Sequence, residues 1–215
     1  MNERRPADDP NSSTQGLSSE DEETRRSTVA ALAARPLSET RDLLMRAMGD
    51  ESWRVRKEAV EQFLASPVAG EYAEQLFELL RSPDNAGLRN SSVEALVRLG
   101  KASIPVLSAH ADDKDCDVRK FVVDILGGIG DISSLPLLIA ALDDADPNVR
   151  AAAAENLGMI GHVRAVPPLL EALARPDLAL RHTILEALGR GLLQRFFRPF
   201  ALTVDVEEHE DHAAQ

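Results

Sequence analysis

The sequence predicts an all-α fold: an α-solenoid of about six stacked two-helix repeats, with acidic disordered tails. Three observations carry this. A short pattern of cap, arginine, apolar residue and glycine recurs about every 31 residues, and self-similarity at such a period marks a repeat architecture. Each copy divides into two stretches with helical apolar spacing. Only 4% of residues are aromatic although 44% are apolar. A core of Leu, Ala, Val and Ile suits close-packed helices better than a β-sandwich.

The first helix of each unit is marked at both ends. An apolar residue followed by arginine occurs at Val55-Arg56, Leu88-Arg89, Val118-Arg119, Val149-Arg150 and Leu180-Arg181. Arg26, 30 residues before Arg56, heads a fainter copy. Four residues before the five clear arginines stand Ser52, Asn85, Asp115, Asp146 and Asp177, all residue types whose side-chain oxygen accepts the free amides of a first helical turn. Pro147 follows Asp146, where a proline costs a helix nothing. Seven residues after the arginines come Phe63, Leu96, Leu126, Leu157 and Leu188. Gly100, Gly130 and Gly161 lie eleven residues after Arg89, Arg119 and Arg150 and suit the left-handed stop of a helix. A helix of about three turns is expected in each copy.

The second helix follows in "ASIPVLSAHAD", "SSLPLLIAALD" and "RAVPPLLEALA", with Pro105, Pro136 and Pro167 in register 31 residues apart. Ile104, Leu107, Ser108 and Ala111 form one face, matched by Leu135, Leu138, Ile139 and Leu142. "LSETRDLLMRAM" and "EYAEQLFELLR" supply the same element earlier. A unit of this size cannot bury its apolar face alone, but stacked copies can. The expected organisation is an acidic tail over 1–23, a solenoid over 24–200 and an acidic tail over 201–215. Within the solenoid, residues 190–200 with Phe196, Phe197 and Phe200 form an aromatic C-terminal cap or docking patch, through which self-association is open.

The net charge of −12 is carried by the tails. Residues 1–23 and 201–215 each contribute −5, leaving 24 acidic against 22 basic residues in 24–200. No basic face of the kind nucleic acid requires is apparent. No apolar run approaches a membrane span, and the start "MNERRPADDPNSSTQG" has no apolar core of a signal peptide. A soluble, cytoplasmic protein that neither inserts into membranes nor binds nucleic acid is expected. The single cysteine, Cys116, excludes an intrachain disulfide.

At these residues the chain resembles the HEAT-repeat family, specifically the short bacterial type named after phycobilisome lyases. The shared pattern is Asp-x-x-Val-Arg-x-x-Ala-x-x-x-Leu-Gly-x-Ile-Gly followed by Ala-x-x-Pro-x-Leu-x-x-Leu-x-Asp. Residues 146–173 match it almost throughout, 115–143 well, 85–112 and 177–189 in part, and the first two units loosely. The resemblance implies that Arg56, Arg89, Arg119, Arg150 and Arg181 serve packing between neighbouring units. The acidic column five residues on, Glu61, Glu94, Asp124, Glu155 and Glu186, is a solvated face or part of that ladder.

Chemistry-bearing residues do not converge in the sequence. His110, His162 and His182 fall at three different phases of the repeat, so no metal centre is expected from them. His209 and His212 lie in the acidic tail. HEAT-like deoxyhypusine hydroxylases hold iron with repeated His-Glu pairs, whereas the one pair here, His209-Glu210, lies outside the array. "LGGIGD" ends a helix and is not a phosphate loop. No catalytic, cofactor-binding or metal residue is therefore expected, and no cofactor.

What varies between copies is the outward strip of the second helices: Val106, Ala109 and His110; Leu137, Ala140 and Ala141; Pro168, Glu171 and Ala172. These nine positions hold one formal charge, and an apolar strip marks a contact surface. The expected function is a non-enzymatic protein–protein interaction scaffold or adaptor in a signalling or assembly complex, binding a partner protein through its concave inner-helix face. The alternative is a bilin-lyase-like enzyme or chaperone, or a HEAT-like metal-dependent oxygenase.

Overall fold

A computed structural model describes residues 10–189, with side chains from residue 13. The expected cap or docking residues Phe196, Phe197 and Phe200, and the tail 201–215, lie outside the described residues, as does 1–9. The described chain contains helices and turns and no strand.

The first helices are α2 (Glu22–Ala31), α4 (Trp53–Leu64), α6 (Ala86–Leu99), α8 (Cys116–Ile129), α10 (Pro147–Ile160) and α12 (Leu178–Ala187). The second helices are α3 (Leu37–Ala47), α5 (Ala73–Glu78), α7 (Ile104–Ala109), α9 (Leu135–Ala140) and α11 (Val166–Leu173). Single turns of 3₁₀ helix extend several of the second helices, as at Ala69–Tyr72 and Ala141–Asp143. Six first helices and five second helices alternate, and this is the stacked array that the repeat predicts.

The predicted boundaries follow from their local chemistry. All five expected cap residues accept an amide of the first turn: Ser52 from Arg54, Asn85 from Leu88, Asp115 from Asp117, Asp146 from Asn148 and Val149, and Asp177 from Leu180. Pro105, Pro136, Pro147 and Pro167 all sit in a first helical turn. Gly130 and Gly161 end α8 and α10 in the left-handed conformation (φ 65° and 61°), and Gly100 ends α6 with φ 61°. The first helices reach 14 residues in α6, α8 and α10, nearly four turns rather than three.

The two rows pack differently. Each first helix packs directly on the next from α2 to α12, while contacts along the second row are sparser. Small residues explain the close approach. A side chain at Gly158 would meet the Cβ and Cα of Ala187 at 2.5 and 2.7 Å, and Ala152, Ala153 and Ala154 are all buried. The core lies between the rows, where Val55, Phe63, Leu96, Leu126, Leu138, Leu157 and Leu169 are buried.

Two expectations are corrected. Residues 1–23 are not all tail: α1 (Pro10–Gly16) packs on α2, and Leu17 is buried. Leu17, which follows α1 directly, is the apolar residue of this charged stretch that joins the core. Nor does Arg26 head the first copy. Arg25, 6% exposed, bonds the carbonyls of Ser19 and Glu20, as Arg56 bonds those of Asp50 and Glu51. Arg26 instead pairs with Glu23 on its own helix and with Glu58 on α4.

Candidate partner-binding site

The arginine column sets the spacing of the units. Arg119 donates from Nε and Nη2 to the two carboxylate oxygens of Asp144, in the next unit, at 2.7 and 2.8 Å. Its Nη1 donates to the Asp113 carbonyl at 2.8 Å. Arg25 grips Asp50 of its neighbour in the same way, and Arg150 reaches Asp177 at 2.8 Å. Arg56, Arg89 and Arg181 differ: they donate to carbonyls of the preceding junction, at Asp50 and Glu51, Ser82 and Pro83, and Leu173. The expected unit-to-unit role therefore takes two forms. In the acidic column, Glu61 forms a two-point pair with Arg98 of the next unit at 2.7 and 2.8 Å.

Asp50 and Asp144, which receive Arg25 and Arg119, stand six residues before the next arginine of the column, as does Asp113, whose carboxylate receives Arg81 instead. Each also accepts the backbone amide two residues on: Ser52, Asp115 and Asp146. That recurring Asp-x-cap spacing was legible in the sequence, although attention to the arginines passes over it. The column breaks at Pro83 and at Arg175. Arg175 turns back to Asp143 at 2.6 Å and to the Leu142 carbonyl at 2.7 Å.

The sparser second row leaves a groove of about 500 Å³ between the second helices of the second and third clear copies. Its floor is Val122, Val123 and Leu126 of α8, Val149 of α10 and Leu137 and Ala141 of α9. Its lips are Asp112 and Asp113 on one side and Asp143 and Asp144 on the other, with Arg119 between. A shallower recess shares Asp143 and Asp144 and runs on to Asp177 and Leu178. Leu178 is 79% exposed.

The nine strip residues do not form one open face. Ala109, Ala140 and Glu171 are exposed, while Val106, His110, Leu137, Ala141 and Pro168 are half-buried. Ala172 is 1% exposed and belongs to the core, because helix α11 turns it towards Leu169 and its neighbours. Leu137, Ala140 and Ala141 come together in the groove. Ser108, expected on the buried face, is exposed on its wall.

His110 is fixed beside this groove. Its ring stacks on Phe77 of α5 at 4.1 Å, with the planes 13° apart. Nε2 lies 3.0 Å from Glu74 Oε1. Arg81 donates to Asp113 at 2.6 Å and to Glu78 at 3.3 Å, and its Nη2 is 3.5 Å from His110 Nδ1. The Arg81 hydrogen bond, followed by the Asp115 amide, holds the Asp113 carboxyl down at about 2. Asp144 is lowered chiefly by Arg119. Glu74, Glu78 and His110 each bring a possible ligand atom within 4.8 Å of the others, and both glutamates are exposed. This is the one group among the described residues with a metal-ligating composition, and Arg81 already bonds one of its carboxylates.

Taken together, these features define a helical-repeat protein whose second-helix face opens into a groove at a unit junction. The chain belongs to the HEAT-repeat family: the family model described as HEAT repeats matches residues 12–97 and again 104–189. No curated protein sequence matches the chain. Among solved structures, the chain is similar to one that reports microtubule plus-end tracking by XMAP215, CLIP-170 and EB1, at 16% identity. That match covers 85% of this chain and 90% of the other, with a TM-score of 0.54. It is also similar to Drosophila melanogaster Mini spindles TOG3, at 14% identity over 85% and 94% of the two chains, with a TM-score of 0.53. Human deoxyhypusine hydroxylase in complex with glycerol matches at 22% identity over 83% and 72%, with a TM-score of 0.47. At such identities the likeness is one of fold. Among the described residues, no helix is long and apolar enough to cross a membrane.

Proposed function

We propose that the protein is a non-enzymatic scaffold or adaptor that binds a segment of a partner protein across its second-helix face, at the groove floored by Leu137 and Ala141. The observation that carries this reading is the groove itself. Close packing of the first helices leaves the second helices apart, so an apolar floor stays open at a unit junction. Concave sites with an apolar base and a few placed polar groups are the usual places where proteins take ligands. Repeat arrays present such surfaces on a rigid frame. A cytoplasmic adaptor in a signalling or assembly complex fits this chemistry.

Leu137→Asp with Ala141→Asp tests the reading. Partners crosslinked to the wild-type protein in its own cell should be lost from the double variant while helicity and melting remain close to wild type. Retention of every partner by a folded variant would remove the groove as the docking site.

A metal-dependent enzyme is the second reading, and one observation favours it: the Glu74, Glu78 and His110 set. Elemental analysis of protein purified without chelators tests it. A stoichiometric metal lost in Glu78→Gln and His110→Ala would favour an enzyme, and a substoichiometric one the scaffold.

A further inference from the structure

The charge of the groove specifies its occupant further. Residues 112–146 hold nine aspartates against three basic residues, although residues 24–200 as a whole are close to neutral. Two of the four lip carboxylates are both engaged from within the array and largely shielded from water: Asp113 by Arg81 and Asp144 by Arg119. The other two, Asp112 and Asp143, are exposed. Asp112 has no cationic partner among the described residues, and Asp143 meets Arg175 while its side chain stays 70% exposed. Both occupy the same repeat position, 31 residues apart, so they stand one unit apart, on facing lips of the groove. Between them lie Leu137, Ala140 and Ala141.

We infer that the segment docking here is basic and extended, with two cationic side chains about three residues apart and apolar residues between them. This rests on the reading of the groove as a protein-docking site. Stacked helices lie about 10 Å apart, and a chain extended in the polyproline II form advances about 3.1 Å per residue and returns every third side chain to the same face. Cations three residues apart therefore face Asp112 and Asp143 together, while the residues between them contact the apolar floor. Charge complementarity across the lips selects the partner and fixes its register.

The probe is a short fluorescein-labelled peptide built on Arg-Leu-Leu-Arg, titrated against the full chain by fluorescence anisotropy. Peptides with glutamate in place of arginine, and with the two arginines adjacent, serve as comparisons. The arginine peptide with the three-residue spacing should bind best, and more weakly as salt is raised. Asp112→Asn with Asp143→Asn should weaken it about fivefold, as expected for two exposed ion pairs. These variants remove two of 36 acidic residues, so binding through the acidic ends of the chain would leave the affinity unchanged. An unchanged affinity, a preference for the glutamate peptide, or no binding of the arginine peptide at millimolar concentration each overturns the inference. If the aspartate-to-asparagine pair has no effect while Leu137→Asp with Ala141→Asp still releases the cellular partners, the groove is a docking site for a different chemistry. If neither pair of variants has an effect, the docking reading falls as well.

Discussion

Arg119 and Asp144 belong to different units and meet through two parallel hydrogen bonds of 2.7 and 2.8 Å, with both side chains largely shielded from water. The guanidinium has a further branch on the Asp113 carbonyl, and Asp144 also accepts the Asp146 amide. One contact thus links a first helix, its own junction and the cap of the next first helix. Arg119→Ala leaves a shielded carboxylate and a carbonyl without their donor, and should cost about 2 kcal/mol. Arg119→Lys keeps the charge but not the fork, and should recover only part of it. Urea unfolding of the two variants gives the comparison.

Gly158→Ala sets two effects against each other. Alanine favours a helix interior by about 1 kcal/mol, but a Cβ here would meet the Ala187 Cα at 2.7 Å and its carbonyl oxygen at 3.0 Å. Backbone cannot swing aside as a side chain can, so overpacking at about 1–3 kcal/mol should prevail. The variant should be less stable than wild type, and hydrogen exchange should show α12 losing protection before α4.

Caps and lips make opposite predictions for one residue type. Asp146→Ala removes the acceptor of the Asn148 and Val149 amides and should cost about 1 kcal/mol. Asp112→Ala removes an exposed lip carboxylate and should change the unfolding midpoint little, while weakening the arginine peptide.

Low pH should loosen the junctions in a defined window. Asp113 and Asp131 are held down at about 2, the former chiefly by Arg81 and the latter chiefly by the Ser133 hydroxyl, and Asp144 is lowered chiefly by Arg119. An aspartate in the unfolded chain titrates near about 3.9. Below that the unfolded chain binds protons that the folded one refuses, so these carboxylates stabilise fully above about pH 4 and progressively less towards about pH 2. Carboxylate NMR should place the Asp113 titration near its lowered value in the wild type and closer to the ordinary range in Arg81→Ala. Urea midpoints should fall across the same window.

The α1 helix should contribute to stability despite lying within an acidic stretch. Leu17→Ala empties a buried site beside Met45 and Ala47 of α3 and should cost about 2 kcal/mol. A melting curve unchanged from wild type would return this segment to the status of a tail.

The sequence by itself determined the architecture, because each boundary is decided by local chemistry. Asp146 caps, Pro147 starts and Gly161 stops α10 through bonds and dihedrals confined to a few residues. Those signals repeat, so one unit read correctly describes its neighbours. The candidate site was legible only in part. Leu137, Ala140 and Ala141 could be selected as an apolar strip, but Ala172 at the matching position is core. Helical periodicity reports which residues share a face and not how closely the next helix covers it. Tertiary structure decided three things: that Arg25 rather than Arg26 joins the ladder, that Arg81 takes Asp113, and that tight first-helix packing leaves the second helices apart. Each depends on distances between units, and a pattern written within one unit does not contain them.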